Sequence, residues 1–308
     1  MPPVPMMRRR FFLADNPGAG FRSHRLVDAV ALCLEGYGAR IARAPFGTAA
    51  ESAAAIAAAA RSGSFDAIVA AGGDGTVRLA VKAALGTGVP IGVIPLGTGN
   101  VLAHESGLPS QPQAAADLLL HGEVSFVNAG RANGELFLLM VGIGFDGRII
   151  NALDHRLKRR FGKLAYVKPT LQALAHGADR LDVTLDGVSR HTASWAIVAN
   201  ASCYGGSFSL APAASIMEPE LVAVLFHGEL RLQRLAQLVD LALGRLDRRA
   251  ASAGSDVTTH VCRTALITGT EPMPTQLDGD AFGMTPIVIE TAAAIVPMIL
   301  PRARVDRA

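Results

Sequence analysis

Residues 67–76 read Ala-Ile-Val-Ala-Ala-Gly-Gly-Asp-Gly-Thr, and this stretch decides the fold class of the leading half of the chain. The five apolar residues predict a short buried strand, and the glycines that follow end it. The same pattern recurs at residues 91–100, Ile-Gly-Val-Ile-Pro-Leu-Gly-Thr-Gly-Asn, and in shorter form at residues 10–20. Because helical segments lie between these strands, the pattern predicts a parallel sheet with helices on its faces.

The predicted elements of this half alternate between strand and helix. Thr48, with Glu51 three positions later, predicts a capping box at the start of an alanine-rich helix. The strands are predicted at residues 10–14, around Ile41, and at residues 67–71 and 91–94, and the helices around residues 26–34, 48–61 and 77–85.

The pattern of the sequence changes after Gly122. Strand-like apolar runs follow one another with turns between most of them, and residues 232–243 give the clearest helix. This pattern predicts an antiparallel, sandwich-like second domain. We therefore place an α/β domain at residues 1–122 and an all-β domain at residues 123–285. The runs are residues 136–141, 181–185, 194–198, 221–226 and 264–268.

Composition excludes several classes of protein. At ~150 residues per domain, a chain of 308 residues predicts about two domains. Half of the residues are hydrophobic and 18% are charged, which excludes disordered, collagen-like and coiled-coil chains. The 29 Lys and Arg residues exceed the 26 Asp and Glu residues by only +3, so the balance of charge predicts no nucleic-acid partner.

The sequence predicts a cytoplasmic protein. Three scattered cysteines, Cys33, Cys203 and Cys262, favour neither a disulfide framework nor a zinc site. The apolar residues after the N-terminal arginines are too few for a secretory signal. The longest apolar run, residues 292–300, contains Pro297 and falls short of the ~20 residues of a membrane span. We expect a soluble chain, or one that lies on a membrane surface.

Three glycine-rich turns stand where predicted strands end, and they predict a phosphate site. Two familiar alternatives fail. The pair Gly162-Lys163 precedes Leu164, so it is not a Walker A motif. The GxGxxG match at residues 142–147 lacks the acidic residue that a dinucleotide site needs ~20 positions later. The predicted nucleotide-binding residues are Asn16, Pro17, Gly18, Gly20, Gly72, Gly73, Gly75, Thr76, Gly97, Thr98, Gly99 and Asn100.

These turns, in this order, resemble the diacylglycerol kinase catalytic domain family, which includes bacterial lipid kinases and the sphingosine and ceramide kinases. The resemblance rests on residues 16–20, 72–76, 96–100, 142–146, 157–166, 210–213 and 277–280. It implies an NAD-kinase-like α/β nucleotide-binding domain followed by a β-sandwich domain, with residues 286–308 returning to the first domain. It also implies ATP and Mg²⁺ as cofactors, a lipid hydroxyl as the acceptor, and a peripheral association with a membrane.

The resemblance assigns chemistry to four acidic residues. Asp74 is the candidate to reach Mg²⁺ or to orient the nucleotide, and Asp280 is the candidate base for the acceptor hydroxyl. Asp146 is the candidate contact for the lipid head group, and Glu218, with Asp74, is the candidate metal ligand. Four positions depart from the family: Val101 replaces an acid, Asn128 and Glu218 stand where two metal-binding aspartates are common, and Asp280 replaces a glutamate.

Plainer interpretations stay open beside these assignments. The residues around Asp280 also fit a hairpin turn, and Asp146 also fits a helix N-cap. The basic runs at residues 8–10 and 158–160 fit either a solvated face or attraction to anionic lipid. For the whole chain, the alternatives are an NAD kinase and a catalytically weak lipid-binding relative. A homodimer is left open.

Overall fold

The computed structural model describes residues 7–16, 23–45 and 47–302. The chain divides into two compact units. Unit 1 comprises Met1–Val127 and Ala294–Ala308, and unit 2 comprises Asn128–Ala293. Two strands run through the division, β5 (Glu123–Ala132) and β18 (Ile287–Leu300). The first residues of the segment predicted to return to the first domain, residues 286–293, therefore belong to unit 2.

Unit 1 is built on a parallel sheet with the strand order β2–β1–β3–β4, followed by the end of β18. Met298 of β18 lies opposite Ile91 in parallel register. Every residue of β3 is buried, because helices cover both sides of a central parallel strand. The strands are β1 (Arg10–Asp15), β2 (Arg40–Pro45), β3 (Ala67–Gly72) and β4 (Ile91–Pro95).

The helices of unit 1 follow the strands in the predicted alternation. They are α1 (Ser23–Gly36), α2 (Ala49–Arg61), α3 (Asp74–Ala84), α4 (Val101–Ser106) and α5 (Pro112–His121). The capping box predicted for α2 is confirmed, with Thr48 as the N-cap and Glu51 as its reciprocal partner. Helix α3 begins at Asp74, three residues before the predicted start, because the glycine turn itself supplies the first helical turn.

Unit 2 is a β-sandwich, as the sequence predicts. One antiparallel sheet has the order β14–β13–β10–β7–β16–β17. The other contains β9, β8, β15 and the beginning of β18. Alternate residues of β8, such as Leu181 and Val183, point into the shared core with β-sheet periodicity. The strands are β6 (Glu135–Phe137), β7 (Met140–Ile143), β8 (Leu181–Leu185), β9 (Ser189–Ala193), β10 (Trp195–Ala199), β11 (Cys203–Tyr204), β12 (Phe208–Ser209), β13 (Leu221–Phe226), β14 (Val257–Cys262), β15 (Thr264–Gly269), β16 (Pro274–Leu277) and β17 (Asp280–Met284).

Unit 2 contains more helix than the sequence pattern indicates. The helices are α6 (Phe145–Asn151), α7 (His155–Phe161), α8 (Val167–Ala175), α9 (Arg231–Ala242) and α10 (Leu246–Ala250), with a 3-10 turn at Gly162–Tyr166. Several of these helices are too short for helical periodicity to be recognised against the strands around them. Among the described residues, none of the helices has both the length and the apolar run that crossing a membrane requires.

Candidate active site

The loop after β3 is held by a polar contact with the end of β1. Thr76 is buried in the first turn of α3, and its hydroxyl accepts a hydrogen bond from Asn16 Nδ2 at 2.9 Å. A Cβ placed on Gly72 would lie 2.3 Å from Thr76 Oγ1, so only glycine fits at Gly72. The start of α3 therefore lies at the carboxyl edge of the sheet, where its backbone N–H groups favour an anion.

The loop after β4 closes on itself through Asn100. Asn100 Oδ1 accepts a hydrogen bond from Gly97 N, and Asn100 Nδ2 donates one to Gly97 O, both at 2.7 Å. Asn100 has a φ of 47°, in the left-handed region that asparagine tolerates better than most residues. A Cβ placed on Gly97 would lie 2.8 Å from Gly73 Cα, so the backbones of the two loops are in direct contact.

Asp74 ties the two loops together. Its Oδ2 accepts a hydrogen bond from Val101 N at 3.0 Å, and its Oδ1 accepts one from Leu102 N at 3.1 Å. These are the first two N–H groups of α4, which have no partner inside that helix. The carboxylate of Asp74 therefore satisfies the beginning of α4 from another loop, a function that the sequence does not predict.

The structure brings most of the predicted nucleotide-binding residues to this one edge. They lie in the loops or in the first turns of the helices that follow them: Asn16, Gly72, Gly73, Gly75, Thr76, Gly97, Thr98, Gly99 and Asn100. Pro17, Gly18 and Gly20 lie outside the described residues. The binding function of each residue in the set stays a prediction.

In unit 2, the segment that contains Asp280 forms a β-hairpin. Leu277 of β16 lies opposite Asp280 of β17, which leaves Asp278 and Gly279 as a two-residue turn. Their φ values of 50° and 85° are those of a type I′ turn, for which Asp-Gly is a preferred pair. The hairpin interpretation is confirmed. The half-buried Asp280 begins β17, and its function as a base stays a prediction.

The turn residue Asp278 has a structural function that sequence reasoning missed. Its carboxylate accepts three backbone hydrogen bonds, from Leu138 N and Leu139 N at 2.9 Å and from Met140 N at 3.0 Å. The continuous strand predicted at residues 136–141 is wrong for this reason, because these N–H groups bond to Asp278 and divide the run into β6 and β7. Nothing in the local sequence identifies a partner about 140 residues away.

Asp146 lies in a buried polar network. Its side chain is 1% exposed, and it accepts a hydrogen bond from the Tyr204 hydroxyl at 2.5 Å and another from Gln276 Nε2 at 2.8 Å. Burial raises the pKa of Asp146 above that of an ordinary aspartate. Gln276 Oε1 also accepts a hydrogen bond from Gly279 N at 2.7 Å, which links Asp146 to the Asp280 hairpin.

These contacts revise the interpretation of the segment around Asp146. The N-cap of α6 is Gly144, so the alternative that Asp146 is an N-cap is wrong. A Cβ on Gly142 would lie 1.7 Å from Asp146 Oδ2, and one on Gly147 would lie 2.0 Å from Pro274 O. The GxGxxG spacing at residues 142–147 therefore serves close packing. Contact between Asp146 and a lipid head group stays a prediction. No pattern in the sequence identifies Tyr204 or Gln276 as partners of Asp146.

Two family profiles together match nearly the whole chain. The diacylglycerol kinase catalytic domain matches residues 11–132. The YegS C-terminal NAD kinase beta sandwich-like domain matches residues 139–302, which is more than half of the 308 residues. The chain belongs to the diacylglycerol kinase family. The resemblance seen in the sequence motifs is thereby confirmed.

Individual members of the diacylglycerol kinase family match over different shares of the chain. A diacylglycerol kinase of Mycobacterium tuberculosis is 31% identical over 179 residues, which cover 55% of this chain and 58% of that relative. A diacylglycerol kinase of Bacillus subtilis is 26% identical over 248 residues, which cover 79% of this chain and 80% of that relative. The chain spans little more than half the length of several curated relatives that it matches.

A crystal structure of a diacylglycerol kinase from Bacillus anthracis shares the fold. It covers 96% of this chain and 98% of its own, with a TM-score of 0.69 and 20% sequence identity. This likeness confirms the architecture of an α/β domain followed by a β-sandwich, as do the two family profiles.

The diacylglycerol kinase family implies Mg²⁺, so we tested whether the described residues fit a resident ion. Within residues 7–16, 23–45 and 47–302, no group of three or more His, Cys, Asp or Glu side chains is arranged to hold a metal. Glu218 is exposed, and Asp74 belongs to the other unit. An Mg²⁺ ion that accompanies ATP takes most of its ligands from phosphates and waters, so it does not require a cluster of this kind. Metal binding by Asp74 and Glu218 stays a prediction.

Proposed function

We propose that this chain is an ATP-dependent lipid kinase that transfers the γ-phosphoryl group to a lipid hydroxyl. The observation that carries this proposal is the contact between the two glycine loops, where a Cβ on Gly97 would lie 2.8 Å from Gly73 Cα. Glycine-rich loops at the carboxyl edge of a parallel sheet let the phosphates of a nucleotide approach backbone N–H groups. Relatives named diacylglycerol kinase support the choice of reaction.

In the proposed reaction, the lipid hydroxyl oxygen attacks the γ-phosphorus of ATP. The bond between that phosphorus and the bridging oxygen breaks, and ADP leaves. Asp280 takes the proton of the attacking hydroxyl, as a general base. Mg²⁺ that arrives with ATP would neutralise part of the charge of the phosphates. Thr76 and Asn100 hold the loops in position, since their side chains already bond to Asn16 and Gly97.

The proposed acceptor is diacylglycerol, ceramide or a sphingoid-like lipid. Val101, which stands where many family members have an acid, gives no reason to prefer diacylglycerol. The substrate is therefore best found by experiment. The chain would be incubated with radiolabelled ATP and Mg²⁺, together with diacylglycerol, ceramide, sphingosine, phosphatidylglycerol or NAD, and the products separated by thin-layer chromatography. We expect one labelled lipid phosphate. Label in NADP, or in none of the lipids, would contradict the proposal.

Asp280 offers the sharpest test of the proposed chemistry. We expect Asp280→Ala to lower the rate of transfer by about 10²- to 10⁴-fold, which is the usual contribution of a general base, and to leave ATP binding unchanged. Transfer would be measured with the lipid found above, and ATP binding by calorimetry. Asp182→Ala, at an exposed position of β8, serves as the matched control. Full activity in Asp280→Ala would remove this residue from the mechanism.

A further inference from the structure

Helix α9 turns its apolar side to the solvent. Leu232, Leu235, Val239 and Leu243 are spaced by three or four residues, so they form one stripe along the helix and its C-cap. Each of these side chains is between 45% and 79% exposed. A helix on the surface of a soluble protein ordinarily faces the other way, with its apolar stripe against the core.

The opposite side of α9 is buried, and it combines the polar Arg234 and Gln237 with Leu241. Gln237 is 0% exposed and Arg234 is 3% exposed. Gln237 Oε1 accepts a hydrogen bond from Trp195 Nε1 at 3.2 Å, and Gln237 Nε2 donates one to Asp256 Oδ2 at 3.1 Å. Arg234 Nη2 donates to His176 O at 2.7 Å. These bonds fix the rotation of the helix about its axis, so the outward stripe is built into the fold of unit 2.

Helix α8 lies beside the start of α9 and also exposes apolar side chains to the solvent. Arg231 Nη2 donates a hydrogen bond to Ala175 O at the end of α8, at 2.8 Å. Val167 and Leu171 of α8, and Leu164 of the preceding 3-10 turn, are between 54% and 72% exposed. We call the exposed side chains of the two elements the α8–α9 apolar surface: Leu164, Val167, Leu171, Leu232, Leu235 and Val239.

Positive charge accompanies this surface. Residues 155–178 contain six Lys or Arg residues and no Asp or Glu. Arg156 and Lys168 are exposed. The other basic run of the chain differs, because Arg10 forms an ion pair with Asp66 at 2.6 Å and the guanidinium of Arg8 donates to Gly122 O. The run near α8 combines exposed cations with exposed apolar side chains.

We propose that the α8–α9 apolar surface docks on a bilayer that contains anionic lipids. Leucine side chains gain free energy at the boundary between head groups and acyl chains, and nearby Lys and Arg residues gain it from anionic head groups. Residues 155–178 contain six cations and no acidic residue, so an anionic bilayer complements them better than a second copy of the same basic segment. The biological purpose of this docking rests on the proposed function, since a lipid substrate resides in the bilayer.

Sedimentation with lipid vesicles, without ATP, tests the apolar part of this surface. The vesicles would contain phosphatidylcholine alone or mixed with phosphatidylglycerol. We expect the full chain to bind the mixed vesicles, and Leu232→Gln with Val239→Gln to weaken that binding by about tenfold or more, because two exposed apolar side chains are lost. Val188→Gln is the matched control, since Val188 is 82% exposed on the turn between β8 and β9.

The charged part is tested with Arg156→Gln and Lys168→Gln together. Because two cations that attract anionic head groups are lost, binding to the mixed vesicles should fall about tenfold or more. Added salt should remove most of the difference between the variant and the original chain.

Two results would overturn the proposal. One is unchanged vesicle binding in both double variants. The other is a dimer of the original chain in light scattering that Leu232→Gln with Val239→Gln converts to a monomer, which would make the surface an interface between copies. Kinase activity on lipid dispersed in detergent is measured separately, so failure of docking and failure of the proposed function are distinguishable.

Discussion

Asp278 shows how much one side chain can decide at the scale of the residue. It occupies the left-handed region with a φ of 50°, and it also satisfies three N–H groups of residues 138–140. The first property makes the hairpin turn, and the second holds the segment between β6 and β7 against that turn. Buried N–H groups without an acceptor are costly, so the two properties together make this carboxylate hard to replace.

Asp278→Ala should therefore lower the free energy of unfolding by about 3 kcal/mol or more, because three buried donors lose their acceptor. Denaturation with urea measures the change. Asp186→Ala is the matched control. Asp186 also has a positive φ, 49°, and accepts from Arg263 N and Thr264 N, but at an exposed position. Equal losses in the two variants would show that burial of the Asp278 bonds contributes nothing.

The pKa of Asp146 leads to a second prediction for a single residue. Burial raises the pKa of Asp146 above its value in the unfolded chain, so the folded chain holds the proton more tightly. The free energy of unfolding therefore falls as pH rises from the unfolded pKa through the folded pKa. Tyr204→Phe removes one of the two donors that stabilise the charged carboxylate. The pKa of Asp146 should rise further, because only Gln276 then donates to the carboxylate.

We expect Tyr204→Phe to cost more free energy of unfolding at pH 7.5 than near pH 3, which lies below the ordinary aspartate pKa of ~3.9, so that Asp146 is mostly protonated in both the folded and the unfolded chain. Urea denaturation at the two pH values measures the difference. Tyr37→Phe is the control, since the hydroxyl of Tyr37 accepts from Gln113 Nε2 at an exposed position of unit 1. A loss of the same size at both pH values would contradict the assignment.

At the scale of the element, α4 depends on a residue outside itself. It is six residues long, and its N-cap, Asn100, makes no side-chain bond to the helix. Asp74, in the first turn of α3, supplies the missing acceptors for Val101 N and Leu102 N. The positions of the two helices, and of the Gly97–Asn100 loop before α4, are therefore coupled through one carboxylate.

Asp74→Ala should loosen the start of α4 and weaken ATP binding by about tenfold or more, because the loop that precedes the helix loses its anchor. The free energy of unfolding should fall by about 1 kcal/mol, which is typical of a lost cap. Asp74→Asn keeps one oxygen acceptor and should recover part of the affinity. Calorimetry measures ATP binding, with Asp117→Ala on α5 as the control. Unchanged affinity in Asp74→Ala would contradict this function.

Sequence periodicity predicts the elements that repeat a simple pattern. Strands β3 and β4 are short apolar runs ended by glycine or proline, and α2 has a capping box, so each was predictable from neighbouring residues. The break between β6 and β7 was not predictable, because its cause is a carboxylate distant in sequence. The outward orientation of the apolar stripe on α9 was not predictable either, because periodicity identifies an apolar face but not whether that face points to the core or to the solvent.

The candidate site likewise contains residues that the sequence predicts and contacts that it does not. The glycines of the loops after β3 and β4 were predictable, since a loop that lets backbone approach a ligand closely needs glycine whatever surrounds it. The bonds of Asp74 to α4 and the Asp146–Tyr204–Gln276 network were not. They join residues from separate elements, and polar residues of these types are common at many positions that have no such partner.

At the scale of the whole molecule, the chain completes its first unit with its last strand. Val296, Met298, Ile299 and Leu300 of β18 are buried, and Met298 pairs with Ile91 of β4. Removal of residues 294–308 should leave β4 with an unpaired edge and expose this apolar surface, so unit 1 should lose its cooperative unfolding and aggregate.

Tryptophan fluorescence and limited proteolysis can follow the two units of the truncated chain separately. The one tryptophan of the chain, Trp195, is buried in unit 2 and stacked on Phe226. In the truncated chain we expect its emission to stay at the wavelength of a buried indole while limited proteolysis cuts unit 1. A chain that ends at Arg302 should resist proteolysis like the original. Resistance of the longer truncation would show that unit 1 does not need β18.

The late position of β18 also bears on how the protein is made. When the ribosome has translated the loops after β3 and β4 and most of the β-sandwich, the end of β18, which lies beside β4, has not yet been synthesised. Unit 1 therefore cannot complete its sheet until unit 2 has been synthesised. Its sheet edge stays open to chaperones or to neighbouring nascent chains until β18 has emerged.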